Sequence, residues 1–134
     1  MDWNYIVEQY AKNPIQNFVM ADFSVKQHEG NALCGDDITV YLKIQWNKIV
    51  DYSFDGDCAT ITKASASCLA DIIVGQDILD ILTRNQDTMI QHDFIVSSRR
   101  KRASVIAILA ARNAVHNYLN DGQRDEFDDL IKEY

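Results

Sequence analysis

The chain contains little proline, glycine or cysteine, and this composition limits the classes of protein to which it can belong. Pro14 is the only proline, and five glycines and three cysteines are spread over 134 residues. An odd number of cysteines does not make a disulfide framework, so each cysteine is judged as a ligand, a nucleophile or a core residue. There is no internal repeat, linker or low-complexity segment. Residues 1–134 are therefore expected to form a single domain.

Long apolar runs and positive charge are also scarce. No stretch approaches the roughly 20 apolar residues that a membrane span needs. The first residues lack the basic region and apolar run of a signal peptide. We therefore expect a cytoplasmic protein that does not contact a membrane. The net charge of −7 argues against general nucleic-acid binding. Basic residues are dense only at Arg99, Arg100, Lys101 and Arg102.

Hydrophobic periodicity predicts strands early in the chain and helices late. Apolar and polar residues alternate from Ile38 to Ile44, which indicates a half-buried strand, and residues 49–54 are predicted to return beside it. A weaker alternation at 23–27 suggests a third strand. Helical spacing predicts helices at 2–12, 60–74, 77–82, 98–119 and 127–131. This order indicates an α+β fold, with helices packed on one face of a small antiparallel sheet of about three strands.

Two glycine-containing loops lie at the two ends of the predicted hairpin. Cys34-Gly35-Asp36 precedes its first strand, and Gly56-Asp57-Cys58 follows its second. A hairpin of matched strands returns the chain to its start, so Cys34, Asp36 and Cys58 can converge. Two thiolates with one carboxylate suit zinc or iron–sulfur chemistry.

These loops resemble those of the NifU/IscU/SufU-type iron–sulfur cluster assembly scaffolds. The signature of that family is roughly Asn-Pro-x-Cys-Gly-Asp followed by Gly-x-Gly-Cys-x-Ile-x-x-Ala-Ser-x-Ser. The matching segments of this chain are the Asn-Pro region at 10–17, Cys34-Gly35-Asp36, Cys58 and the small residues at 64–67. The resemblance thus covers most of the chain, and it implies a scaffold of the IscU/NifU fold.

The resemblance also implies a role for each matching residue. Cys34 and Cys58 would hold iron, a transient iron–sulfur cluster or zinc, and would accept sulfur from a cysteine desulfurase. Asp36 would keep a bound cluster labile enough to be handed on. A protein of this kind is a binding partner of the desulfurase rather than a turnover enzyme. A cluster could also form between two chains, each giving two thiolates.

The chain departs from the family pattern at the third ligand. Family members carry a cysteine, often preceded by histidine, at the start of the long last helix, where this chain has Arg102 and Ala103. Arginine stays protonated and cannot bind metal. Cys68 lies about 15 Å along a helix from Cys58, on its apolar face, and is expected to be a buried structural residue. His92 is a further candidate ligand.

Three functions remain open from the sequence. The first is a scaffold-like protein that binds iron or zinc weakly through Cys34, Asp36 and Cys58. The second is a regulatory or partner-binding paralogue without cluster assembly, in which Arg102 pairs with Asp36 or docks an acidic partner. The third is a carrier with a persulfide on Cys34 or Cys58, whose pKa values the basic cluster is expected to lower.

Overall fold

The computed structural model describes residues 2–31 and 36–131, and it has the predicted α+β architecture. Three strands follow a first helix, and four more helices follow the strands. The elements are α1 (Tyr5–Lys12), β1 (Val25–Asn31), β2 (Asp36–Gln45), β3 (Lys48–Asp55), α2 (Thr60–Ile73), α3 (Ile78–Ile81), α4 (Gln86–Gln91) and α5 (Lys101–Leu119), with 3-10 turns at Ser98–Arg100 and Phe127–Asp129.

The sheet is antiparallel, with β2 between β1 and β3. Alternate residues of β2 point into the core, where Ile38, Val40 and Leu42 are fully buried. Trp46 and Asn47 form the turn between β2 and β3, and both have positive φ, as a two-residue hairpin turn of type I′ requires. The predicted hairpin of these two strands is therefore confirmed.

The helices α2 and α5 cover the sheet. Helix α5 packs against β1 and β2, α2 packs against β3 and α5, and α1 packs against α2. Among the residues that the structure describes, no helix combines the length and apolar character needed to cross a membrane. Cys68 lies in this core with 2% of its surface exposed, which confirms its expected structural role.

Several helix boundaries differ from the sequence prediction because local hydrogen bonds decide them. Helix α1 starts at Tyr5, since the Asn4 side chain accepts from the Val7 N–H. Helix α4 was not assigned from sequence, although Asn85 and Thr88 form a capping box at its start. Neither serine at 97 or 98 caps α5, because the 3-10 turn precedes that helix.

Candidate functional site

The candidate site lies at the sheet edge where β2 begins and β3 ends. Antiparallel pairing of Thr39 with Asp55 brings the loop after β3 back to the start of β2. The loop is tight at Gly56, whose φ is +139° and where an added Cβ would lie 2.0 Å from the Asp37 carbonyl oxygen. The Asp37 N–H donates to the Asp57 carbonyl at 3.2 Å. The loop is therefore held against the first residues of β2.

Asp36 is buried, and it stabilises the start of α2. Only 4% of its surface is exposed. One carboxylate oxygen accepts from the Ala59 N–H at 2.7 Å, and the other accepts from the Thr62 hydroxyl at 2.6 Å. The carboxylate thus satisfies a backbone donor just before the first turn and places negative charge at the positive end of the helix.

Cys58 lies beside this carboxylate at the start of α2. Its side chain is half-buried, and its thiol contacts the Asp37 carbonyl oxygen at 3.5 Å. Burial, followed by the negative charge of Asp36, raises the pKa of the Cys58 thiol to about 11, although Lys63 acts in the opposite direction. The expected lowering of this pKa by the basic cluster is therefore wrong for Cys58.

Of the two other cysteines, Cys68 lies in the core and Cys34 lies outside the described residues. Burial raises the pKa of the Cys68 thiol to about 12, so this residue is a neutral core side chain at ordinary pH. Cys34 lies outside the described residues, and its convergence with Cys58 stays a prediction. The structure does bring Asp36 and Cys58 to the same edge, as the hairpin predicted.

Among the described candidate ligands, His92 does not form a group with Asp36 and Cys58. It is an exposed residue at the end of α4, and its Nδ1 lies 3.0 Å from the Thr88 carbonyl oxygen. Within residues 2–31 and 36–131, no three His, Cys, Asp or Glu side chains are grouped closely enough to hold a metal ion. The described residues therefore supply two candidate ligands at one place, Asp36 and Cys58.

Arg102 and Ala103 lie in the first turn of α5, next to α2. Ala103 is buried, and its carbonyl accepts a 2.8 Å hydrogen bond from the Ser65 hydroxyl. The Arg102 guanidinium lies over the Phe127 ring, 4.8 Å from its centroid. Arg102 and Asp36 are both described residues and form no ion pair, so the alternative in which Arg102 pairs with Asp36 is not found. The Asp36 carboxylate has the Thr62 hydroxyl as its partner instead.

Sequence reasoning missed the role of Thr62 and the acidity around Cys58. The charges of Asp37 and Asp55 also raise the pKa of this thiol. The partner of Thr62 is far away in sequence, so only the strand pairing reveals it.

Comparison with known proteins gives consistent results. The family described as NifU-like N terminal domain matches residues 3–125. The chain is 30% identical over 83 residues to the iron–sulfur cluster assembly scaffold protein IscU of Thermotoga maritima, covering 62% of this chain and 58% of that protein. It is 30% identical over 84 residues to the zinc-dependent sulfurtransferase SufU of Bacillus subtilis, covering 63% and 56%. The matched regions span less than two thirds of either relative.

A solved structure shows the same fold. The N-terminal part of a nitrogen-fixing NifU-like protein from Brucella abortus superimposes with a TM-score of 0.70. The two chains are 17% identical, and the superposition covers 90% of this chain and 95% of the other.

Proposed function

Because the chain belongs to the family of NifU-like N-terminal domains, we propose that it is a scaffold-like protein of iron–sulfur cluster assembly. In this proposal it binds iron or zinc through Cys34, Asp36 and Cys58, and it accepts sulfur from a cysteine desulfurase. The observation that carries the proposal is the placement of Asp36 and Cys58 at one edge of the sheet. The cluster or its iron is the cargo of such a protein.

The chemistry of these two residues fits a cation. Each carboxylate oxygen of Asp36 accepts one described hydrogen bond, which leaves lone pairs for a metal ion. The negative charges that raise the pKa of Cys58 also attract a cation, and a bound metal ion would displace the thiol proton. The side chain of Asp36 would nevertheless have to share its oxygens with Thr62, which weakens it as a ligand.

A second candidate function is a partner-binding paralogue without cluster assembly. Arg102 and Ala103 favour it, because neither can be the third ligand of the family pattern. The hydrogen bonds of Asp36 favour it too, since they stabilise the site without a metal ion. The third alternative, a persulfide carrier, is supported only by the fact that one relative is named a sulfurtransferase. The raised pKa of Cys58 opposes it, because the thiolate is the nucleophile.

Metal analysis distinguishes the first two functions. Protein purified without added iron or chelator should contain iron or zinc if it is scaffold-like, and its absorption spectrum would reveal a cluster. Cys34→Ser and Cys58→Ser should each abolish binding, whereas Cys68→Ala, far along α2, should retain it. Unchanged metal content in the Cys34→Ser, Cys58→Ser double variant would contradict the assignment of these ligands.

Restoring the third ligand tests whether its absence limits the affinity of the site for iron or zinc. The double variant Arg102→His, Ala103→Cys places a thiol at the buried first turn of α5, next to α2. We expect it to raise iron or zinc affinity by more than tenfold, about 1.4 kcal/mol. The matched control is Arg102→His, Ala103→Ser, which has nearly the same volume but no thiol. Equal affinities in the two variants would mean that residue 103 does not face the metal.

A further inference from the structure

A cleft of about 370 Å³ lies beside the candidate site, between the end of β1, helix α5 and residues 124–127. Asn31, Arg102 and Phe127 are among the residues that line it. A cleft of this volume is at the small end of the range for sites that hold small molecules. Its described lining includes Arg102, but it does not include Cys58 or Asp36.

Arg102 brings a positive charge into the cleft, and it forms no ion pair with a described carboxylate. Its guanidinium lies against the Phe127 ring, which orients the group by stacking but accepts no conventional hydrogen bond. Among the residues that the structure describes, Arg102 has neither an ion-pair partner nor a side-chain hydrogen bond. Salt bridges are formed by Arg99, Arg100, Arg112 and Arg124, and the Arg84 guanidinium donates to the Gln76 side chain. A guanidinium presents five N–H donors that match a planar carboxylate or a phosphate.

Asn31 supplies a second, independent indication of a ligand. It lines the same cleft and is 2% exposed, yet neither its amide nitrogen nor its amide oxygen has a hydrogen-bond partner among the described residues. A buried amide without a partner destabilises the protein, because the free energy lost on taking it out of water is not recovered. A ligand that accepts from the amide nitrogen would recover part of this cost.

The two carboxylates of the described lining form their ion pairs with Arg124 and not with Arg102. Glu29 is buried and forms an ion pair with Arg124, whose two terminal nitrogens lie 2.7 and 3.2 Å from its oxygens. Glu126 is at the exposed rim, and the Nε of Arg124 donates to it at 3.3 Å. His28 is paired with Asp37 at the strand surface. Arg102 is therefore the one cation of the described lining without a carboxylate partner.

We propose that this cleft binds a small oxyanion, a carboxylate or a phosphate group, between the Arg102 guanidinium and the Asn31 amide. Arg102 contributes the charge and two parallel donors, and Asn31 contributes a buried donor that fixes the position of the anion. Phe127 holds the guanidinium in place before the anion arrives. This gives Arg102, which stands where the family has a metal ligand, a binding role of its own.

The test is a titration of the full chain, labelled with ¹⁵N and treated with chelator so that no metal ion can hold the anion. Inorganic phosphate and acetate are added in separate experiments, with sodium chloride keeping the ionic strength constant. We expect saturable shifts of the amide signals of Gly30, Asn31, Arg102 and Phe127. Saturation by phosphate alone identifies a phosphate ligand, and saturation by acetate alone identifies a carboxylate. Shifts that rise linearly with both anions would overturn the proposal.

Two variants with a matched control locate the anion. Arg102→Gln should weaken binding at least tenfold, whereas Arg99→Gln should not. Arg99 belongs to the same basic cluster, but its side chain is 73% exposed and it does not line the cleft. Equal weakening in both variants would mean diffuse attraction to the cluster and would overturn the proposal.

Asn31→Leu separates binding from folding, because it removes an unpartnered buried amide at similar volume. We expect this variant to resist urea as well as the parent chain or better, and to lose saturable anion binding. Full anion affinity in Asn31→Leu would contradict the role of the amide. A loss of affinity with unchanged or increased stability would support it.

Discussion

The Thr62 hydroxyl donates a 2.6 Å hydrogen bond to the Asp36 carboxylate, and this bond joins the start of the central strand to the first turn of α2. Both side chains are buried. The same carboxylate accepts from the Ala59 N–H, so one aspartate stabilises the end of a helix that has no side-chain cap of its own. The residue that the family resemblance assigns to cluster lability therefore also has a structural role.

Thr62→Val should destabilise the protein, because it removes the hydroxyl and leaves one oxygen of a buried carboxylate without its donor. We expect the free energy of unfolding to fall by about 1–3 kcal/mol, measured by urea denaturation. Thr83→Val is the matched control, since Thr83 is exposed and its hydroxyl donates only to the Asp80 carbonyl. A loss no greater than that of the control would show that the Thr62 bond contributes little.

Gly56→Ala should be more harmful than the same change at Gly122. Both glycines have positive φ, so both substitutions cost backbone strain. Only at Gly56 would the new Cβ collide with backbone, 2.0 Å from the Asp37 carbonyl oxygen, while Gly122 faces open space. We expect Gly56→Ala to lower the free energy of unfolding by at least about 2 kcal/mol more. Similar urea midpoints in the two variants would rule out a tight loop before Cys58.

Cys58 should react with alkylating reagents faster than Cys68, although both thiols are protonated at neutral pH. Cys58 is half-buried and Cys68 is 2% exposed, so the reagent reaches the Cys58 thiol more easily. In chelator-treated protein, the rate at Cys58 should rise nearly tenfold per pH unit between pH 7 and 9, since its pKa is raised to about 11. Timed alkylation with peptide mass spectrometry measures both rates. A plateau of the Cys58 rate near pH 8 would contradict the raised pKa.

His116 should make the stability of the protein depend on pH. Burial alone would lower its pKa, but hydrogen bonds to Asp121 at 2.7 Å and to Asp125 at 2.9 Å outweigh burial and raise the pKa. A raised pKa means that this stabilisation is complete below the unfolded value of about 6.5 and is lost as the pH rises through the folded-state pKa.

The variant His116→Gln tests this dependence. Its loss of stability relative to the parent chain should be larger at about pH 5.5 than at about pH 9, measured by urea denaturation. His92→Gln controls for the removal of an exposed imidazole. An equal loss at the two pH values would mean that the imidazolium does not stabilise the segment after α5.

The strands and helices could be predicted because their signals are local. The alternation from Ile38 to Ile44 fixes which face of β2 is buried, and the helical spacing after Thr60 fixes the buried face of α2. The helix predicted at 77–82 corresponds to α3, whose N-cap Asp77 accepts from the Leu79 N–H through its side chain. The short helix α4 was missed because residues 84–98 are polar and its capping box was not recognised.

The amino-acid sequence alone determined the α+β class, the hairpin that brings Asp36 towards Cys58, and the family resemblance. These depend on periodicity and on motifs that are contiguous in the chain. Tertiary structure alone decided the partner of Asp36, the pKa of Cys58 and the position of Arg102 over Phe127. The physical reason is that these properties depend on burial and on charges from residues distant in sequence, which only the packed fold brings within a few ångströms.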